Sequence, residues 1–193
     1  MKRKTATKKV SRPGGRTEQN RRAVAAAVLK LIGDGRIDFE VQEVAALAGV
    51  HRTTLFGRWP DKSALIAEAL AEHVARISID FSGDWKTDLH RVGLVLRDFL
   101  SDPVELAMNR ILATTNNADL REQMGLHWAP ILETLYQPIQ AAQMGGDLPA
   151  EVDGEAVILL LISTLLTETV FTESIPDNAR VKRIVEQIIR GCI

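Results

Sequence analysis

Between Phe39 and Leu65 the chain reads FEVQEVAALAGVHRTTLFGRWPDKSAL, and its polar residues come at a spacing that suits a nucleic-acid groove. His51, Arg52, Thr53, Thr54 and Arg58 belong to a short run whose apolar members are Leu55, Phe56 and Trp59. Wound as a helix, this run packs its apolar residues and leaves Arg52, Thr53, Thr54 and Arg58 on the other side. A B-DNA major groove, about 12 Å wide, admits one such helix. An arginine there donates to guanine O6 and N7 or to phosphate, and a threonine donates, accepts or touches a thymine methyl. Residue type alone leaves Arg52 open between base and phosphate and favours phosphate for Arg58. Lys62 falls in the first turn of the following helix, where backbone N–H groups already attract an anion. A lysine gains nothing from the helix dipole at that end, so a shared phosphate accounts for it better.

These residues need a rigid mount. Val41, Val44, Ala45 and Ala48 follow the i, i+3, i+4, i+7 pattern of an amphipathic helix that packs. Gly49 stands where the chain must reverse sharply, in a conformation that only glycine enters without a steric cost. Two short helices joined at Ala48-Gly49-Val50 make a helix-turn-helix, one helix packing and the next presenting donors. Gln42, on the first of the two, joins the DNA-facing set. A preceding helix is expected from Thr17, as its cap, to about Gly33, with the apolar stripe Val24, Val28, Leu31 and Ile32. Arg16, Arg21 and Arg22 near its start are placed to meet phosphate. Residues 1–15 carry six basic side chains and no apolar periodicity. They read as a flexible basic arm, adding phosphate attraction or serving only as a solubilising tail.

Charge divides the chain the same way. Residues 1–62 hold 14 Lys and Arg against 6 Asp and Glu, net +8, while the rest hold 10 against 19, net −9. A basic module joined to an acidic one implies a polyanionic partner for the first alone. With 193 residues, 46% of them hydrophobic and 25% charged, the composition is that of a globular protein with a sizeable core. The basic N-terminus lacks the apolar segment of a secretory signal. The longest apolar run, Ala156 to Leu166, falls short of the roughly 18 residues a membrane span needs. One cysteine, Cys192, makes no internal disulfide and no metal cluster. A cytoplasmic protein without membrane, metal or cofactor is the expectation. His51, His73, His90 and His127 form no metal-ligand spacing, and neither a glycine-rich phosphate loop nor a nucleophile elbow occurs. An enzyme is therefore not expected. A DNA-binding architectural protein without small-molecule input is the alternative.

Downstream the period is helical throughout, and the fold class is all-α. Helices are expected from Asp61 to about Ile79, then over Leu89–Leu100, Val104–Thr115, Leu120 to about Met144, Gly154–Phe171 and Asn178–Ile189. With the first three, that makes about nine. The run Ala156–Ile162 is apolar all round and must be covered on every side. Val181, Ile184, Val185, Ile188 and Ile189 form a second stripe, and the two helices together suggest a dimer surface. Trp85, Phe99, Met108, Met124, His127, Trp128, Tyr136 and Phe171 are candidates for an apolar pocket with polar anchors.

The block VQEVAALAGVHRTTLFGRWPDKSAL resembles the helix-turn-helix of the tetracycline-repressor (TetR) family of transcription regulators. The features that carry the resemblance are Ala45, Ala48-Gly49-Val50, the triplet Thr54-Leu55-Phe56, the aromatic at Trp59, and Lys62 ahead of Ala64-Leu65. The resemblance implies a homodimer without enzymatic activity. Each subunit would hold a three-helix DNA-binding domain over residues 16–62 and a larger helical domain over 63–193 for a small-molecule effector and the dimer contact. It implies that Arg52, Thr53 and Thr54 face bases or phosphates, and that Lys62 is the phosphate-contacting lysine. Phe56 takes the place of the family's tyrosine and lacks its hydroxyl. Glu40 replaces a Ser or Thr cap and is a poorer one. His51 replaces a capping Ser, leaving open whether its imidazole caps the helix or points at DNA.

Overall fold

Short polar side chains fix where most of the helices begin. A computed structural model of the chain describes residues 15–114, 116, 118–172 and 174–192, except the side chains of Arg16, Asp119, Leu120 and Gln123. Its helices are α1 (Gly15–Gly33), α2 (Val41–Ala48), α3 (Arg52–Arg58), α4 (Lys62–Val74), α5 (Trp85–Leu100), α6 (Pro103–Thr114), α7 (Ala118–Gly145), α8 (Gly154–Phe171) and α9 (Asn178–Gly191). The described residues are all-α, as the sequence predicts. The basic arm falls outside the described residues apart from Gly15. Asp61, Asp84, Asp153 and Asp177 each accept a hydrogen bond from a first-turn N–H of α4, α5, α8 and α9, satisfying donors that a helix start leaves unpaired. Glu40 ahead of α2 makes no such bond, in line with its being a poor cap. Gly49 closes α2 with φ 64°, the left-handed conformation expected at that turn.

Two apolar cores meet end to end. The first gathers Val28 and Ile32 of α1, Val44, Leu55, Trp59, Leu65 and Leu70, and it reaches across to Val104 and Met108 of α6 and Met124 of α7. The second joins Leu89, Val92 and Leu96 of α5 to Leu135 and Ile139 of α7, Ile158, Leu161 and Leu165 of α8, and Val181 and Val185 of α9. Trp128 packs against both. Packing therefore does not follow the charge boundary at Lys62, because α1 lies on α6 as well as on α4.

Some helix ends differ from the sequence reading. The first helix already includes Gly15, so Thr17 lies within it rather than capping it. α4 stops at Val74 rather than near Ile79. The residues that follow, Ile77, Ile79 and Phe81, are half-buried on the second core, while Ser78 and Asp80 between them are exposed. That two-residue alternation suits an extended strap with one side packed, not a helix. Asp84 starts the next helix early, at Trp85. α7 runs through Pro130 and Pro138, and Thr115, the expected end of the helix before it, lies outside the described residues.

The α9 stripe also differs in its role. Val181, Ile184, Val185 and Ile189 are buried within the chain's own second core, so they are not free for a partner. The uncovered apolar face belongs to α8, where Leu159 and Leu160 are exposed. Among the described residues α8 is the one helix whose length and composition match a membrane span. It packs on α5, α7 and α9.

α5 and α9 cross closely at Gly93, where a Cβ would stand 3.0 Å from both Val181 Cγ1 and Val185 Cγ2. Both neighbours are β-branched and stiff. Gly93→Leu should therefore overpack this crossing and lower the unfolding free energy by about 1–3 kcal/mol, seen as a lower urea midpoint. An unchanged midpoint would mean the crossing has slack.

Candidate nucleic-acid interface

The helix-turn-helix is assembled around one carboxylate. Glu68 of α4 accepts the Trp59 indole N–H at 2.5 Å and lies 3.4 Å from the Arg58 guanidinium and 3.5 Å from that of Arg21. Trp59 ends α3 and is buried, so α3 is fastened to α4 by packing and by this bond together. Arg21 of α1 also pairs with Glu18 and with Glu72, both at 2.8 Å. Hydrogen bonds from Arg21 and Arg22 hold the Glu18 carboxyl down at about 2, and those from Glu18 and Glu72 raise the Arg21 guanidinium further above its ordinary value. Arg21 thus meets three carboxylates, two of them on α4, rather than standing free for phosphate. Arg22 pairs with Glu18 at 2.9 Å.

His51 caps α3: its Nδ1 accepts the Thr53 N–H at 3.4 Å and lies 2.8 Å from the Thr53 hydroxyl. The imidazole thus does the work of the serine it replaces, and it occupies the Thr53 hydroxyl. Arg52, Thr53, Thr54 and Gln42 are exposed. Phe56 does not pack inward as its apolar character predicts. It is 45% exposed, and the Arg52 guanidinium lies 5.1 Å from its ring centroid. One residue along from the fully buried Leu55, it is turned about 100° away from the core, onto the face that Arg52 shares at i−4. Arg58 lies over the Trp59 ring at 5.3 Å as well as beside Glu68. Lys62, half-buried, holds its ammonium 4.6 Å from the centroid of Phe39. The Arg16 side chain lies outside the described residues. Arg36 clamps the approach to α2 through Glu43, at 2.6 and 2.9 Å.

Behind this head lies a groove between α4 and α7, about 450 Å³, lined by Ala67, Leu70, Ala71, Val74, Ala75, Leu126, His127 and Pro130. His127 is the one sequence candidate in that lining. Trp85, Phe99, Met108 and Met124 are buried core, Trp128 and Tyr136 are half-buried, and Phe171 is 76% exposed at the end of α8. The rest of the lining was missed. Its signal was alanine at four-residue spacing, Ala67, Ala71 and Ala75, which also reads simply as good helix-forming sequence. Also unanticipated is a buried polar junction. Glu105 of α6, fully buried, lies 3.4 Å from His127 Nε2 and 3.5 Å from His73 Nε2. Burial pushes the His73 imidazole below its ordinary value, against the pull of Glu105 and Asp102.

Glu68→Ala should strand the buried Trp59 N–H and lower stability by about 1–3 kcal/mol, measured by denaturant unfolding. Glu68→Gln keeps an acceptor and should recover most of the loss; equal losses for both would place the cost in charge instead.

Residues 80–188 match the family model described as the tetracyclin repressor-like C-terminal domain. A protein of Mycobacteroides abscessus named DNA-binding transcriptional repressor TetR is 30% identical over 86% of this chain and 89% of its own length. Among solved structures, a TetR transcriptional regulator from Agrobacterium tumefaciens superposes with a TM-score of 0.74 at 20% identity, covering 89% of this chain and 93% of that one. The regulator FadR from Bacillus subtilis, solved in complex with stearoyl-CoA, has a TM-score of 0.68 at 14% identity, over 88% of this chain and 98% of that one. A helix-turn-helix held against a helical body, a C-terminal family match over more than half the chain and a repressor homologous along most of its length place this protein in the TetR family of transcription regulators.

Proposed function

We propose that this protein is a homodimeric repressor that binds a palindromic operator and is released by a small apolar or amphipathic effector. One observation carries the reading: α4 is shared. Its N-terminal turn holds Lys62, its middle holds α3 through Glu68, and Ala67, Ala71 and Ala75 form one wall of the groove. A 13-residue helix is about 20 Å of stiff rod. An effector wedged between α4 and α7 moves the mount of the recognition helix directly.

In this reading residues 16–62 are the DNA-binding module and residues 63–193 the regulatory and dimerisation part. α3 enters the major groove, with Arg52, Thr54 and Phe56 nearest the base edges. Arg16, Gln42, His51, Thr53, Arg58 and Lys62 make the flanking contacts. Arg58 must exchange Glu68 for phosphate or stay as a strut. One short helix reads only a few base pairs, so two subunits address half-sites about 34–36 Å apart. The second subunit covers Leu159 and Leu160, which one chain leaves exposed on a helix apolar all round. The effector acts only by preferring the state whose α3 spacing misfits the operator. The repressor name of the mycobacterial relative supports the direction of control. The stearoyl-CoA complex supports ligand binding on a body of this fold.

Lys62→Ala should weaken binding to every duplex alike and flatten the salt dependence by about one unit of slope, read by fluorescence anisotropy from low to moderate salt. Identical curves would remove Lys62 from the interface. Arg52→Ala should relax preference at one symmetric pair of operator positions, costing about 1–3 kcal/mol there. A uniform loss across sequences would make it a phosphate contact. No salt-sensitive affinity for any duplex would end the reading as a whole.

A further inference from the structure

We infer that the effector groove takes an amphipathic cation, its apolar body lying along α4 and α7 and its positive head directed at Glu105. The inference rests on the groove being the effector site. Glu105 is 0% exposed, and its ion-pair partners are imidazoles, His127 at 3.4 Å and His73 at 3.5 Å. Neither is a fixed cation, and burial disfavours the charged form of His73. One carboxylate oxygen, Oε2, has no hydrogen-bond partner, nor has either nitrogen of His73. A buried carboxylate in that position calls for a positive partner. Buried polar atoms left without partners call for a water, an ion or a ligand.

The route to Glu105 is short. His127 lines the groove and touches Glu105 from behind the groove wall. The remaining lining is alanine, leucine, valine and proline, a surface for hydrocarbon. The ring of His73 lies 5.1 Å from that of Phe99, which meets Trp128 edge-on at 5.6 Å. Aromatic faces beside a carboxylate favour a positive head further. The acidic body, net −9 over residues 63–193, adds a field of the same sign. An anionic head would have to sit against Glu105 with like charge. To reach the carboxylate, a head must turn His127 aside. That breaks the contact tying α7 to α6 at the carboxylate that also faces His73 of α4. The head therefore acts where α4, α6 and α7 join.

The full-length protein is titrated with three ten-carbon probes, decylammonium, decanol and decanoate, by calorimetry and thermal melting. Decylammonium should bind at least about tenfold more tightly than decanol, and decanoate more weakly than either. Glu105→Gln should reduce decylammonium to the affinity of decanol while leaving decanol and the melting temperature of the free protein close to unchanged. The inference is overturned if decanol or decanoate matches decylammonium, or if Glu105→Gln keeps the preference for the cation. In those cases, provided Ala71→Trp blocks the binding seen, the groove reading survives. If no probe shows binding that Ala71→Trp blocks, the groove reading and the inference fall together.

Discussion

The contact between Glu68 and the end of α3 is the constraint on which the geometry of the helix-turn-helix depends. α3 has only seven residues. A helix so short has little stability of its own, so its direction is set by what holds its two ends. At the start the His51 imidazole caps it, and at the finish the buried Trp59 is bonded to Glu68. The same carboxylate faces Arg21 of α1, so three elements meet on one α4 side chain. Any movement of α4 is therefore a movement of α3.

α4 itself answers to a second junction. Its inner residues, Leu65, Ile66, Ala69 and Leu70, belong to the first core, while Ala67 and Ala71 wall the groove. At its far end His73 meets Glu105 of α6 and, through it, His127 of α7. The two junctions lie about one and a half turns apart on one helix, one tied to α3 and the other to α6 and α7. A polar junction makes this end less committed than an apolar one would be, because buried groups without full hydrogen bonding are costly to hold in one arrangement. The groove opens beside this weaker junction.

The outer surface shows the complementary division. α9 spends its apolar stripe on the chain's own core, while α8 keeps Leu159 and Leu160 outside. In the sequence both helices offered apolar residues for a dimer surface. What separates them is that α9 is strongly one-sided and has a single place to bury its stripe, against α5 and α8. α8 is apolar on every side, and the chain supplies neighbours for only part of it.

Local order was legible without the fold. The turn at Gly49, the poor cap at Glu40 and the helical class all depend on residues within a few positions of one another, and such interactions leave a pattern in the chain. The candidate site was legible in part, as α3 and Lys62, and the groove between α4 and α7 through His127 alone. The inward turn of Arg21 and the early end of α4 were decided by partners on other elements. Glu68 meets Trp59 across nine positions and Glu105 meets His127 across twenty-two. No periodicity announces a pair at such separations, since only tertiary packing brings the end of α3 to α4 and α6 to α7 at those side chains.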